Sequence, residues 1–397
     1  MPVQHSVLLA VLIVALTSVG PLSTDFYLPA LPAIARALGT DTAGAQLTLS
    51  VYLLGFGLGQ LLIGPLSDRF GRRPVMLWGS AAFVLSSAAC ALAPTIETLI
   101  LARLAQAFGA CVGPVLGRAV VRDVYGPHEA ARVLSHVSTA TALAPLVAPI
   151  FGGWLSAHLG WRSTFVVLTL YGLALGFMVW SVLKETNRHP DPHAIRPSRM
   201  LSNYGVLLAD RTYRGALLTG CGAFAALFAF ISGSPFVYID LYGMSPQQMG
   251  LAFGANVTGF IVGSVLSARL TRRLGADWLI RSGVYLGAAS GLLLAGLALA
   301  GVHHPAAVMG PMWGVTMAVG LLLPNATALA LAGYPKMAGA AASMMGFAQM
   351  GLGAGAGMIV GHSVQASATP LALTVAGGML FSLAMWALLL RGRGSTA

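Results

Sequence analysis

Residues 64–74 read Gly64-Pro65-Leu66-Ser67-Asp68-Arg69-Phe70-Gly71-Arg72-Arg73-Pro74, a polar joint that closes one apolar run, 43–66, and precedes another, 75–94. Each run is about 20 residues or longer, enough to cross a hydrocarbon layer of about 30 Å at 1.5 Å per residue. The alternation continues along the chain. Apolar runs at 7–31, 43–66, 75–94, 98–120, 133–156, 163–183, 215–237, 247–268, 278–299, 304–332, 338–361 and 370–390 are separated by polar joints. The pattern predicts an all-α polytopic membrane protein of twelve helices, because only internally hydrogen-bonded helices or closed barrels satisfy the backbone in lipid.

Composition leads to the same class. Of 397 residues, 57% are hydrophobic and 8% charged, against about 25% charged in soluble domains. The mean hydropathy is +0.80. A net charge of +11 in a soluble protein suggests nucleic acid, but here the basic residues sit at span ends and form no continuous surface. With the N-terminus inside, eighteen of the 22 Lys and Arg fall in inner joints, among them Arg188, Arg196, Lys336 and Arg393. Arg36 and Arg162 fall outside, and Arg103 and Arg118 lie within the fourth run. This asymmetry predicts cytoplasmic termini. The N-terminal run is too long for a cleaved signal and is interrupted by Asp25. Cys90, Cys111 and Cys221 lie in apolar runs without metal-ligand spacing. The pairs His189/His193 and His303/His304 have no accompanying ligands, so no metal site is expected. No phosphate-binding glycine loop, HExxH or Ser/His/Asp set occurs, which argues against an enzyme.

A charge inside a span is costly and so marks a candidate site. Asp25 and Arg103 are the principal pair. With helix 1 running outward and helix 4 inward, both lie roughly 8–9 Å below the outer surface. A static ion pair or snorkelling is the structural alternative; in the functional one, Asp25 alternately holds a proton or substrate. Water access and the distance to Arg103 would decide which. Tyr27, Tyr52, Phe56, Gln106, Phe230, Tyr238, Asn256, Asn325 and Gln349 are candidates to line a cavity, each with packing or interhelical hydrogen bonding as its alternative.

The joint at Gly64–Arg73 resembles the G-x-L-x-D-R-x-G-R-[KR] loop of the major facilitator superfamily. That resemblance implies two six-helix bundles, 1–183 and 215–397, joined by a cytoplasmic loop, 184–214, and working by alternating access. It implies a conformational latch built from Gly64, Asp68, Arg69, Gly71, Arg72 and Arg73, together with Arg122 and Asp123 at the end of the fourth run. A weaker echo, Leu266–Ala276, repeats Arg69, Arg72 and Arg73 as Arg269, Arg272 and Arg273, with Ala268 where Asp68 stands. The fourth run, with Arg103 and Gln106, is similar to the family's R-x-x-Q-G-x-G helix, though Ala107 replaces a glycine. Ala144-Pro145-Leu-Val-Ala148-Pro149-Ile-Phe-Gly152-Gly153 resembles the antiporter stretch G-x-x-x-G-P-x-x-G-G, with alanine at the first two glycine positions.

Asp25-Phe-Tyr27-Leu-Pro29-Ala-Leu-Pro32, the segment Arg122–Tyr125 and the stretch Ser232–Ile239 are similar to the bicyclomycin- and chloramphenicol-resistance (Bcr/CflA) drug:proton antiporters. The resemblance implies a monomer of the bacterial inner membrane that exports small drug-like molecules, with protons as coupling ion and no other cofactor. Its partners would be substrate and the lipid bilayer, with nucleic acid excluded. A proton-coupled importer of a small metabolite on the same scaffold is the alternative.

Overall fold

The computed structural model describes residues 7–391 apart from 142, 188–190, 193, 196, 335–336 and 364–366. Arg188, Arg196, Lys336, Arg393, His189 and His193 therefore lie outside the described residues. The helices are α1 (Val7–Asp25), α2 (Leu31–Ala37), α3 (Thr42–Phe70), α4 (Arg72–Leu92), α5 (Ile96–Thr141), α6 (Ala144–Leu159), α7 (Arg162–Val182), α8 (Pro197–Ala209), α9 (Arg211–Pro235), α10 (Pro246–Leu274), α11 (Ala276–Leu299), α12 (Pro305–Ala332), α13 (Ala338–Ser363) and α14 (Thr369–Leu389). Eleven stretches among the described residues are long and apolar enough to cross a membrane, and α6 is a shorter apolar helix that supplies part of a twelfth span. Large apolar side chains such as Leu92, Leu85 and Phe177 stand exposed on the peripheral helices, where lipid is the matching solvent.

Three boundaries differ from the sequence expectation, each for a local reason. The first run does not stay one helix. It stops at Asp25, turns through Phe26 and Tyr27, and resumes as α2 after a tight turn at Leu28–Ala30, because Pro29 and Pro32 remove donors from the continuing helix. The joint after the fourth run remains helical, and the break falls instead just ahead of α6, whose first turn holds Pro145. Proline suits a first helical turn and ends whatever precedes it. The segment 184–214 is not all loop, since it contains α8.

The echo at Leu266–Ala276 is out of structural register with the first copy. α3 ends at Gly71 and α10 at Gly275, both with left-handed φ, +95° and +81°. Arg72 and Arg73 therefore open α4, whereas Arg272 and Arg273 still belong to the last turn of α10.

The two halves meet along α3 with α13 and α6 with α10. Small residues allow the close approach. Gly57 of α3 lies against Phe347 and Met350, and Gly357 of α13 against Ser50 and Ser232. The Gln46 amide donates to the Ser232 carbonyl oxygen at 3.0 Å, and Arg36 pairs with Asp240 at 3.0 Å. Among the described residues, both hydrogen bonds between the halves lie towards the end opposite the Gly71 turn, so the halves are tied together at that end.

Candidate functional site

α1 breaks where the first half meets the second, and Asp25 is the residue at the break. Its Oδ1 accepts from the Thr24 hydroxyl at 3.0 Å, and the side chain is buried. None of the other ten acidic residues is buried. A Cβ on Gly152 of α6 would collide with the Phe26 carbonyl oxygen, immediately after Asp25, and a Cβ on Gly153 would collide with the Pro246 carbonyl oxygen of α10. The two glycines of the antiporter-like stretch thus do separate jobs. One seats α6 against the break in α1, the other seats the same helix against the second half. Buried Ala148 and Pro149 lie on the same helix, and Gly250 of α10 packs on the Pro149 backbone.

Arg103 is fully buried in α5. Its Nη1 donates to the Ser23 carbonyl oxygen at 3.0 Å and to Gln106 Oε1 at 2.5 Å, and Gln106 Nε2 donates to the Ser87 hydroxyl at 2.7 Å. The guanidinium carbon lies 4.1 Å from the ring centre of Tyr52 and 4.6 Å from that of Tyr27. Desolvated cation–π contacts of this kind are worth about 2 kcal/mol. Nε and Nη2 have no hydrogen-bond partner among the described residues. Asp25 and Arg103 form no ion pair with each other. Ser23 faces α5, and Asp25, two residues on, is about 200° further round the helix. The Tyr52 ring lies against Arg103, and its hydroxyl is beside Ser23, two residues before Asp25.

The remaining cavity candidates divide by surroundings. Tyr27 donates or accepts with Thr48 and reaches the Ala45 carbonyl oxygen at 3.4 Å, which fixes its ring under Arg103. Phe56 lies 6.0 Å from Tyr52. Phe230 stacks on Phe253 at 5.6 Å and meets Tyr238 edge-on. The Tyr52 hydroxyl beside Ser23 and the Tyr238 hydroxyl beside Asn256 make no well-formed hydrogen bond. Asn325 instead ties α12 to α10, through Ser267 at 2.7 Å and Thr271 at 3.2 Å; its surroundings are those of a helix-packing residue. Gln349 is half-buried on α13, its amide close to Gly220 of α9.

At the opposite end, the Gly71 turn carries a charge network. Arg72, buried, donates from Nη1 to Asp68 Oδ1 at 2.6 Å and to the Ser67 hydroxyl at 2.5 Å, and from Nε to Asp123 Oδ2 at 3.1 Å. Glu185, just past α7, caps α4. Its two carboxylate oxygens accept from the backbone N–H of Arg72 at 2.9 Å and of Arg73 at 3.0 Å, where the helix dipole favours negative charge. Gly71 has a second reason to be glycine, since a Cβ there would press on Glu185. Arg73 reaches the Trp180 carbonyl oxygen at 2.9 Å. Arg69 packs on Phe70, and Arg122 is exposed and joins no ion pair among the described residues. Gly64 has open space opposite its Cα. Every partner of the network among the described residues comes from the first half or from the segment directly after it.

Glu185 was not among the residues singled out from the sequence. The available signal was an acid in an otherwise basic joint, 113 positions from the helix start it caps.

Residues 12–361 match the family model described as Major Facilitator Superfamily. The chain belongs to the major facilitator superfamily. The eleven spanning stretches and α6, arranged as above, are that superfamily's fold. Among curated relatives of this transporter, a bicyclomycin resistance protein homolog of Haemophilus influenzae is 30% identical, over 92% of each chain. A chloramphenicol resistance protein of Pseudomonas aeruginosa is 32% identical, over 80% of this chain and 75% of the other. The solved structure of the xylose transporter XylE from E. coli, in a partially occluded inward-open conformation, superposes with a TM-score of 0.75. It covers 98% of this chain and 99% of that one at 14% identity, a likeness of fold alone.

Proposed function

We propose that this transporter exports small drug-like or amphiphilic compounds across the bacterial inner membrane in exchange for protons, by alternating access and as a monomer. Phenicol- and bicyclomycin-type antibiotics are plausible cargo, in keeping with the names of its relatives. The observation that carries the reading is Asp25, the one buried carboxylate, at the break of α1 where α6 and α10 converge. A carboxylate there changes its water access whenever the two halves part, which is what a proton-coupling group needs. Each proton moving down about 100 mV yields roughly 2.3 kcal/mol. The importer reading has the fold in its favour and no relative named above. The test is chloramphenicol-triggered proton release from the lumen of acidified inverted vesicles containing the chain. Release above that of empty vesicles supports exchange, and uptake of the drug without proton movement refutes it.

In this reading the Gly71 turn faces the cytoplasm. The three native cysteines are buried, so introduced ones report cleanly. A cysteine at exposed His303, in the joint between α11 and α12, should react rapidly with an impermeant maleimide on intact cells. One at exposed Arg391, just past α14, should react only after permeabilisation. The reverse pattern would invert the assigned orientation.

A further inference from the structure

α5 carries a second intramembrane arginine, Arg118, which the mechanism above does not use. Positions 103, 107, 110, 114 and 118 fall within an arc of about 80° on the helix. Along this face Arg103, Ala107 and Ala110 are fully buried, Pro114 is half-buried and Arg118 is exposed. Gly117 beside it packs on Thr17 and Ile13 of α1, and Cys111 packs on Gly59 of α3. The Arg118 face thus lies between these two neighbours, on the stretch of α5 between Arg103 and Asp123, whose carboxylate belongs to the network at the Gly71 turn. Arg118 makes no hydrogen bond or ion pair with any described residue. A guanidinium cannot shed its charge, and an unpaired one within a span is costly enough to mark a binding pathway. The charge balance has one sign: Arg103, with two unpartnered nitrogens, and Arg118 outnumber Asp25.

We infer that Arg118 is a substrate-binding residue, and that the exposed face of α5 on which it stands selects organic compounds bearing an anionic or strong acceptor group over lipophilic cations. The inference rests on the export reading and names its substrate class. A compound entering from the Gly71 end meets Arg118 first. Deeper in, the free Nε and Nη2 of Arg103 offer a second fork once the site opens, with the Tyr52 ring as an apolar surface. When Asp25 takes up a proton the interior becomes more positive still, so a cation is opposed in both states.

Three probes with one aromatic body isolate the head group: naphthalene-1-sulfonate, naphthalene-1-carboxamide and 1-naphthylmethylammonium. Binding is measured by tryptophan quenching on the full chain in phosphatidylcholine discs, which offer no competing anionic lipid. Wild type should bind the sulfonate most tightly and the ammonium least. Arg118→Ala should weaken the sulfonate roughly ten- to hundredfold, the range for a charge-assisted hydrogen bond, and leave the ammonium unchanged or improved. Arg118→Lys, which keeps charge and bulk, should recover part of the loss and guards against misfolding. Tighter binding of the ammonium than of the sulfonate by wild type overturns the inference. So does a sulfonate affinity indifferent to Arg118→Ala in a variant that unfolds at the wild-type temperature. Binding needs no turnover, so Arg118-dependent binding without proton release would sink the export reading and leave this site standing.

Discussion

Asp25→Asn should reduce substrate-driven proton release in inverted vesicles to the level of vesicles lacking the transporter. The substitution keeps size and shape, and an amide oxygen can still accept from Thr24, so the break in α1 and the α6 contact at Phe26 should persist. What it removes is the titratable proton, and no second buried carboxylate is present to take over. The variant should still bind neutral substrate, because the aromatic surfaces of Tyr52 and Phe230 are untouched. Loss of coupling with retained binding is therefore the expected combination, measured at equal protein abundance. Arg103→Lys should fail differently. A lysine ammonium could serve the Ser23 carbonyl and Gln106 as the single Nη1 does, but it cannot lie flat against Tyr52 and Tyr27 as the planar guanidinium does. Full proton release by Asp25→Asn would overturn Asp25 as the coupling group and move that role outside the buried carboxylates, since the ten other acids lie outside the buried interior.

Asp68→Asn should lower export about five- to thirtyfold with membrane abundance nearly intact. Arg72 is held between Asp68 and Asp123, its own side chain 7% exposed and those of its partners 48% and 19%. The half-exposed Asp68 contributes less than a fully buried partner because water screens it. Its loss nevertheless leaves a buried guanidinium with one carboxylate instead of two, a cost of about 1–2 kcal/mol. The network ties α3, α4, α5 and the end of α7 into one corner, so the loosened corner should transmit the halves' motion poorly while each helix stays packed. Asp123→Asn should give a similar defect, and combining the two should cost more than either alone, because the buried guanidinium then has no carboxylate. Normal export by Asp68→Asn would reduce the motif to a basic anchor for topology.

The sequence by itself determined the solvent, the number of spans and the family. Twelve apolar runs and the spacing of Gly64, Asp68, Gly71 and Arg72 are local patterns, and lipid leaves the backbone few alternatives to helices. It also singled out Asp25 and Arg103, because a charge within an apolar run is visible without coordinates. It did not reveal that the two make no ion pair. Matching depth fixes one coordinate, whereas the angle around α1 depends on where Pro29 and Pro32 break the helix. Nor did it reveal the division of labour between Gly152 and Gly153, which follows from two different backbones approaching one helix. The 200-residue echo already lacks the acid, with Ala268 at that position, and the structure adds that α10 continues a turn further before Gly275, so its arginines open no helix. Glu185 and Arg118 were the residues most dependent on tertiary structure. A cap contributed from 113 positions away, and an arginine without a polar partner among the described residues, are properties of what packs nearby, and helix packing in a membrane is decided by close contacts that leave only faint traces in any one run.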